Sequence, residues 1–348
     1  GSIGAAASGP TVSASNPAVD TNPSGGVGTQ WANSSTGDFY VLTDATEGSN
    51  IWTNVDAGQD SIAPFVLGGT QYGYTQGGYN SGILNIVEKY AFAASANSAD
   101  VGNLTTSRYS MGGTSSKVSG YAFGDSGGSE DVIDKVSFSS GGDSTDVGNL
   151  SAGADTAPGC ATATYGYAMG GNPVSPVKRI EKWAFATDGN SSGIGDITVP
   201  RASGAPGSSG TYCWVAGGVG SSTYDIIEKM ATASDSDGVD VGNLVRGVDQ
   251  GLPGASSTTH GYAGGGHSNA VNVDKYSFTS DGDSTDVGDL TGESAWSAGA
   301  SSTTYGYRSG GGTPTVNVID RWAYASDGNG VDVGNLTAVR YYNAPSEY

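Results

Sequence analysis

Basic residues and long apolar segments are scarce in this sequence. Its 348 residues contain 14 Lys and Arg against 34 Asp and Glu, which gives a net charge of −20. Because cationic surfaces bind nucleic acid by releasing counterions, so acidic a chain is expected to be repelled by phosphate backbones and by anionic lipid. No apolar run reaches the ~18 residues that a membrane-spanning helix requires. The sequence therefore predicts that neither nucleic acid nor membrane insertion is involved.

Cysteine and charged residues are also few. Cys160 and Cys213 are too few for a disulfide framework, and the sequence leaves their redox state open. The start of the chain lacks the basic residues and sustained apolar core of a signal peptide, so export stays open as well. Charged residues make up 14% of the chain, against about 25% in an average protein, whereas glycine occurs 59 times. Short strands joined by turns containing Gly and Asp have this composition, so an all-β fold is predicted.

One short phrase, as in "DVGNL", returns at a nearly constant interval of 46 or 47 residues. Its opening aspartate occurs at Asp100, Asp146, Asp240, Asp286 and Asp332, and a degenerate copy puts Gly193 in register. Charge follows the same interval, because a basic residue directly follows each of Glu88, Asp134, Glu181, Glu228, Asp274 and Asp320. A catalytic motif is normally needed once, so a phrase that recurs in this way indicates architecture.

Aromatic strands that end in glycines recur with the same period. Examples are "QYGYTQGG" from Gln71, "TYGYAMGG" from Thr164 and "TYGYRSGGG" from Thr304. Six copies of a unit of about 46 residues cover residues 60–348. Periods of about 40 to 50 residues with several strand signals in each unit are typical of propeller blades.

Each unit contains four strand signals. In the last copy these are "SAGASS", "TTYGYRS", "VNVIDRWAY" and "VDVGNL", with the turn "SDGNG" before the fourth. Small residues suit a crowded innermost strand, while "VNVIDRWAY" alternates in the period of a half-buried strand. The Asp-Gly pair is typical of a tight hairpin turn, and the short "VDVGNL" is predicted at the outer edge. The sequence predicts a six-bladed β-propeller, with innermost strands such as "SAGASS".

These units resemble the kelch repeats of β-propellers. Arg108, Arg201 and Arg340 match the basic position that follows the last strand in that family, although the other copies lack it and the usual outer-strand Trp is Val or Ile. The segments 73–78, 272–278 and 326–336 are also similar to repeats in tail-fibre and appendage proteins of marine bacteriophages. The resemblance covers about five-sixths of the chain. It implies a kelch-like propeller in a virion structural protein that binds a receptor.

The front of the chain does not follow the repeat. Residues 1–20 are rich in small residues and proline, which predicts an extended linker. Residues 21–59 are predicted to form a small β module for attachment or oligomerisation, with a hairpin at Thr36 and Gly37 and a core of Trp31, Tyr40 and Trp52. The propeller is predicted over residues 60–348. Residues 338–348 begin a seventh copy, and the segment from Asp60 resembles the innermost strand of the first unit, so both ends are expected to meet there.

The connections after the glycines vary from copy to copy and are expected to share one face of a propeller. Aromatic and amide side chains suit a ligand rich in hydroxyl groups, and solvated loops are the equally weighted alternative. The candidate ligand-binding residues are Tyr79, Asn80, Asn172, Tyr224, His267 and Asn269.

Three further patterns have a chemical and a structural interpretation. The acidic turn formed by Asp281, Asp283 and Asp286 has oxygen ligands at alternate positions but lacks the distal glutamate of a calcium loop, which makes it a weak calcium candidate. The recurring acid–base pairs cannot act together, because adjacent strand residues point to opposite faces. They are therefore predicted to bridge neighbouring units. His260 occupies a position that is tyrosine in other copies, and no catalytic set or cofactor motif is present.

The leading expectation is a non-enzymatic phage tail-fibre or appendage protein that recognises host surface glycans. Its expected partners are a host glycan or other receptor, other virion proteins, and further copies of itself in a trimer. One alternative is a secreted bacterial adhesin or extracellular filament subunit at the cell surface. Another is a glycan-active or redox enzyme, which an acidic cluster or metal ligands in an axial pocket would favour.

Overall fold

The structure is a computed structural model that describes residues 9–55, 68–126, 131–172, 175–248, 251, 253–266, 270–293 and 295–348. Within them the chain is all-β, without helix, and contains seven four-stranded sheets. Contacts divide the chain into two units, residues 1–65 and residues 66–348. The described residues contain no helix that is long and apolar enough to cross a membrane.

The first unit contains one sheet with the order β1-β2-β3-β4. Its strands are β1 (Thr11–Ser13), β2 (Gln30–Asn33), β3 (Phe39–Asp44) and β4 (Ile51–Asn54). Strand β1 pairs parallel to β2, and the other two pairs are antiparallel. The predicted hairpin at Thr36 and Gly37 connects β2 to β3, and Trp31, Tyr40 and Trp52 pack together as predicted.

The prediction of a linker over residues 1–20 is wrong for the described part of that segment. Besides β1, Ser15 O accepts a hydrogen bond of 2.9 Å from Trp31 Nε1, and Val19 O accepts one of 2.8 Å from Asn50 Nδ2. The partners lie 16 and 31 residues along the chain. Composition indicates local conformational preference only. It could not show that residues far along the chain form hydrogen bonds with the backbone of this segment.

The second unit contains six sheets, which we number one to six in chain order. Sheet one has the order β28-β5-β6-β7, and each of the others contains four consecutive strands. The first strand in each of these orders contacts the first strands of the neighbouring sheets, and we call it the innermost strand. The strands of sheets one to three are β5 (Tyr72–Tyr79), β6 (Ile83–Ala91), β7 (Ala99–Asn103) and β28 (Ala344–Glu347); β8 (Gly112–Ser115), β9 (Ser119–Phe123), β10 (Val132–Ser137) and β11 (Thr145–Asn149); and β12 (Gly159–Ala161), β13 (Tyr165–Met169), β14 (Arg179–Ala184) and β15 (Ser192–Asp196).

Sheets four to six repeat the same antiparallel arrangement. Their strands are β16 (Ala205–Ser208), β17 (Tyr212–Val219), β18 (Thr223–Ala231) and β19 (Val239–Val248); β20 (Gly254–Ser256), β21 (His260–Gly264), β22 (Asn272–Ser277) and β23 (Thr285–Asp289); and β24 (Ala298–Ser301), β25 (Tyr305–Gly311), β26 (Val316–Ala323) and β27 (Val331–Asn335). The four predicted strands of the last copy are therefore confirmed in number and order.

Each sheet packs on the next one through its own hydrophobic cluster. Between sheets two and three, for example, Phe123 packs against Trp183 with ring centroids 5.2 Å apart. Equivalent clusters lie between every consecutive pair, and a sixth joins sheet six to sheet one, where Phe92 and Tyr307 have centroids 4.7 Å apart. Each of the six sheets therefore packs on two others through hydrophobic clusters.

The glycines of the repeat permit this packing. A Cβ atom on Gly166 would lie 2.4 Å from the Trp183 ring, so only glycine lets the aromatic side chain lie across its neighbouring strand. At the end of β25, Gly310 and Gly311 have φ values of 66° and 136°, as predicted for the double glycine. Both Asp327 and Gly328 also have positive φ, as a tight hairpin turn of the predicted kind requires.

The C-terminal strand supplies the innermost strand of sheet one. Strand β28 pairs antiparallel with β5, and Tyr348 O accepts hydrogen bonds of 2.6 and 2.9 Å from the N–H groups of Gln71 and Tyr72. The end of the chain therefore occupies the pairing edge of β5. The segment from Asp60, which was predicted as the innermost strand, lies mostly outside the described residues. The expectation that residues 338–348 end at this sheet is confirmed.

The two cysteines form a disulfide bond between neighbouring sheets. Cys160 lies in β12 of sheet three and Cys213 in β17 of sheet four, with 53 residues separating them. Both side chains are fully buried in the cluster between these sheets. The sequence had left their redox state open, since pairing depended on which sheets become neighbours.

Candidate functional site

One position in each repeat has a left-handed backbone. It lies two or three residues before the innermost strand of its sheet. The residues at this position, which we call the left-handed ring, are Ser110 (φ 59°), Thr156 (50°), Ser203 (63°), Gly251 (69°), Trp296 (53°) and Tyr342 (60°).

Glycine adopts this conformation without steric cost, yet five of the six residues carry side chains. For an L-residue it costs about 1–2 kcal/mol, and it is least expected for β-branched or bulky residues such as Thr156, Trp296 and Tyr342. Strain of this kind persists where surrounding structure enforces it, and it clusters at functional sites. The ring is therefore the first candidate for a binding site.

Backbone hydrogen bonds connect successive members of the ring. The N–H of Tyr342 donates to Trp296 O at 2.7 Å, and the N–H of Ser110 donates to Tyr342 O at 2.9 Å. Thr156 N–H then donates to Ser110 O at 2.7 Å, and Ser203 N–H to Thr156 O at 2.9 Å. These bonds run from one sheet to the next, so they hold the strained residues in place.

Half-buried aromatic side chains form a cluster on one side of the ring. Trp296 and Tyr342 have ring centroids 4.9 Å apart, and Tyr109 lies 5.9 Å from Tyr342. Tyr341 contacts both Trp296 and Tyr342, and Tyr79 lies between Tyr109 and Tyr341 at 5.5 and 5.6 Å. We call these five residues the aromatic cluster. It offers ring faces at the surface for stacking.

A cavity of about 700 Å³ lies beside the aromatic cluster. The cluster contributes Tyr109, Trp296 and Tyr342 to its wall. The rest of its lining is formed by Pro176, Ala202, Val219 and Gly220 and by polar residues that we call the polar wall, namely Ser110, Ser126, Asp155, Thr156, Asn172, Ser175 and Ser203. Aromatic rings together with hydroxyl, amide and carboxylate groups suit a ligand with apolar faces and polar edges.

Two polar atoms of this cavity lack a partner among the described residues. They are Asp155 Oδ1 and Asn172 Oδ1, both of which are buried. An unsatisfied buried acceptor costs about 1–3 kcal/mol, so both atoms favour a ligand or water that donates hydrogen bonds. Burial raises the pKa of Asp155 to about 6, since the nearby Asp125 carboxylate adds to it while the hydroxyls of Thr156 and Ser110 only partly oppose it.

The structure brings together only some of the predicted ligand-binding residues. Tyr79 belongs to the aromatic cluster, and Asn172 lines the cavity. Tyr224 instead contacts Ser221, with the two hydroxyl oxygens 3.0 Å apart, and Asn80 lies in the turn after β5, where its N–H donates to Gly82 O. Neither lines the cavity. His267 and Asn269 lie outside the described residues.

Sequence reasoning missed Tyr109, Asp155, Trp296, Tyr341 and Tyr342. They lie in the connections that lead into innermost strands, whereas the search concentrated on the connections after the double glycines. Both kinds of connection meet on the same side because the two innermost strands of each sheet are antiparallel. The signal available in the sequence was a tyrosine directly after Arg108 and Arg340.

The three weak calcium candidates each contact protein groups. Asp281 pairs with Lys229 of the preceding sheet, and Asp283 Oδ1 accepts a hydrogen bond of 2.9 Å from Asn243 N. Asp286 accepts one of 3.2 Å from Gly288 N. Among the described residues no group of three or more His, Cys, Asp and Glu side chains is arranged to hold a metal ion. Asp281 and Asp283 therefore contact the preceding sheet, whereas Asp286 contacts its own strand.

The recurring acids bridge neighbouring sheets, as predicted. All six are buried, and Asp134 illustrates the pattern, since Oδ1 accepts a hydrogen bond of 2.7 Å from Thr105 Oγ1 at the end of sheet one. The following base contacts the other neighbour, as Lys135 does with Asp188 at 2.9 Å. His260 opens β21 and contacts Thr259, so it is a strand residue as expected.

Replacing Thr156 with glycine should raise the free energy of unfolding by about 0.5–1 kcal/mol. Relief of the left-handed conformation outweighs the backbone entropy that glycine costs. Chemical denaturation of the Thr156→Gly variant measures this. The matched control is Thr258→Gly, because Thr258 is exposed and lacks positive φ, so the change should lower stability by about 0.5–1 kcal/mol. Equal destabilisation by both changes would contradict the assignment of strain to the ring.

Compared with protein-family models and with curated proteins, the chain matches none.

Proposed function

We propose that this chain is a non-enzymatic glycan-binding protein of a phage tail fibre or appendage, built on a six-bladed, kelch-like β-propeller behind a small N-terminal β module. The six hydrophobic clusters between the sheets support the propeller, as do the contacts of each innermost strand with the innermost strand of the next sheet. Strand β28 within sheet one supplies the closure that such a ring needs. The proposed receptor is a glycan on the surface of a host bacterium.

The observation that carries this proposal is the cavity between the aromatic cluster and the polar wall. Sugars present apolar faces, which stack on aromatic rings, and hydroxyl groups, which donate to acceptors such as Asp155 Oδ1 and Asn172 Oδ1. The strained backbone at Thr156, Trp296 and Tyr342 indicates that these side chains are retained at a cost in stability.

The disulfide bond supports a location outside the host cytoplasm. Bonds such as that between Cys160 and Cys213 persist in oxidising surroundings, as on virions and in secreted proteins. The resemblance of the repeats to phage appendages favours the virion. A secreted adhesin or extracellular filament subunit is the alternative that fits the same observations, and the neighbouring genes in the source genome distinguish the two.

Replacing Trp296 with alanine should weaken glycan binding about ten-fold or more, because the stacking surface at the cavity is lost. An array of bacterial surface glycans identifies a ligand for the unmodified protein, and titration calorimetry then compares the variants. Tyr165→Ala is the matched control, because it also removes an exposed aromatic side chain, 38% exposed, from a different place. Tyr165 is the first residue of β13, whereas the cavity residue Asn172 follows the last residue of that strand. Thermal melts establish that both variants fold.

Binding that survives Trp296→Ala but is lost in Tyr165→Ala would contradict the proposed site.

A glycan-active enzyme is the second candidate, because the pKa of Asp155 is raised to about 6, in the range of a general acid, and Asp125 lies near. The same incubations therefore include analysis of the glycan for cleavage. Release of shorter products, lost in Asp155→Asn, would establish the enzyme instead.

We further propose that the N-terminal module assembles the chain into a trimer, which would raise avidity for weak single sites. Among the described residues of the module, the hydrophobic side chains buried completely are those of Tyr40, Leu42 and Trp52, while Val12 and Val55 are 67% and 57% exposed. Light scattering should give a trimer for the full chain and a monomer for residues 68–348. A monomer in both cases would contradict this assembly.

A further inference from the structure

The cavity beside the aromatic cluster carries charge of one sign. Among the described residues that line it, Asp155 has the only formal charge. Asp125 adds a second carboxylate nearby, since Oδ1 accepts hydrogen bonds of 3.1 and 2.7 Å from the N–H groups of Tyr109 and Ser126, two lining residues. No Lys or Arg side chain lines the described wall. The site therefore presents negative potential without a compensating cation.

The aromatic wall also favours positive charge. The faces of Trp and Tyr rings are negative, so a cation within about 6 Å of a ring centre gains roughly 0.5–2 kcal/mol. Trp296 and Tyr342 lie 4.9 Å apart and both line the cavity with Asp155. Burial raises the pKa of Tyr342, and the Asp155 carboxylate, which lines the same cavity, raises it further.

We propose that the cavity binds an organic ammonium group, so that the preferred glycan is one whose sugar residues carry a free, protonated amine. This inference rests on the proposed glycan-binding function and names its ligand class. The ammonium donates to Asp155 Oδ1, which has no partner among the described residues, and lies against the rings of Trp296 and Tyr342.

Other sugars match the site less well. A hydroxyl group can donate to Asp155, but it carries no charge, so it gains neither the Coulomb attraction between an ammonium and the carboxylate nor the attraction of a cation to the rings. N-acetylation removes the charge while leaving the sugar otherwise intact. A carboxylated sugar would be repelled by Asp155 and Asp125.

The test compares three tetramers by titration calorimetry, made of glucosamine, N-acetylglucosamine and glucose. The free amine should bind about ten-fold or more tightly than its acetylated counterpart. Asp155→Asn should remove this preference. The matched control is Asp289→Asn, which makes the same change of charge on the outer strand β23, where four other repeats have Asn103, Asn149, Asn243 and Asn335. It should leave the preference unchanged.

A pH series separates the charge of Asp155 from that of the ligand. A trimethylated glucosamine tetramer keeps its positive charge at every pH. Its affinity should fall between about pH 7.5 and pH 5, because Asp155, with a pKa of about 6, takes up a proton over this range. In Asp155→Asn the affinity should not change with pH in this way.

Equal binding of the free-amine and acetylated tetramers, with loss of both in Trp296→Ala, would overturn the ammonium inference while leaving the glycan-binding function intact. A preference for the amine that persists in Asp155→Asn would overturn the assignment of this cavity. If none of the three tetramers binds the unmodified protein, the inference fails. A glycan array without any ligand would in addition remove the proposed function.

Discussion

Deletion of residues 338–348 should lower the melting temperature by more than about 10 °C, because the loss of several kcal/mol has an effect of this size in a chain of this length. The deletion removes β28, so the edge of β5 loses its pairing partner. It also removes Arg340, whose guanidinium pairs with Glu88 where both side chains are 0% exposed. Glu88 would remain as a buried charge without its arginine.

Differential scanning calorimetry of the truncated and full chains measures this effect. Val339→Ala is the control within the same segment, since Val339 is 37% exposed and its truncation should change the melt little. An unchanged melting temperature after the deletion would show that β28 does not stabilise sheet one, and would contradict the proposed closure of the propeller.

Replacement of Arg108 with methionine should cost about 3–5 kcal/mol of unfolding free energy, because it leaves a buried carboxylate uncompensated. Arg108 pairs with Asp134 at 2.7 Å, with side-chain exposures of 1% and 0%. The second terminal nitrogen of its guanidinium group, Nη1, donates to Gly124 O and Val132 O at 3.0 Å. The methionine fills a similar volume but replaces none of these bonds.

The comparison is Lys182→Met, which also breaks an ion pair between neighbouring sheets. Lys182 and Asp235 are 19% and 46% exposed, so water screens their attraction and the loss should be below about 1 kcal/mol. Urea denaturation of the two variants under identical conditions measures the difference. Similar losses in both would contradict the view that burial, rather than the number of ion pairs, makes the arginines important.

Much of the second unit could be predicted from periodicity. The interval of the DVGNL phrase marked six units, and the alternation in "VNVIDRWAY" together with the turn residue Gly328 indicated four strands per unit in the observed order. Such signals are local, since side-chain alternation and turn chemistry depend on residues within a few positions of one another. The placement of Asp134 between sheets followed from the same regularity.

The candidate site was only partly predictable. Tyr79 ends β5 and Asn172 follows β13, in segments whose sequence varies among the copies, and this variation identified both residues as candidates. Trp296 and Tyr342 belong to different connections, which only the closure between sheets six and one brings together. Asp155 carries no local signal at all, because its chemistry depends on what surrounds it.

The sequence by itself determined the all-β class and the repeating strands, because each repeat encodes its own alternation, turns and buried acid. Only the tertiary structure decided that β28 is the strand that pairs with the edge of β5, that Cys160 bonds to Cys213, and that β1 pairs with β2. It also decided which side chains occupy the left-handed ring. These features join residues that are distant along the chain, and packing between sheets, rather than local preference, brings them into contact.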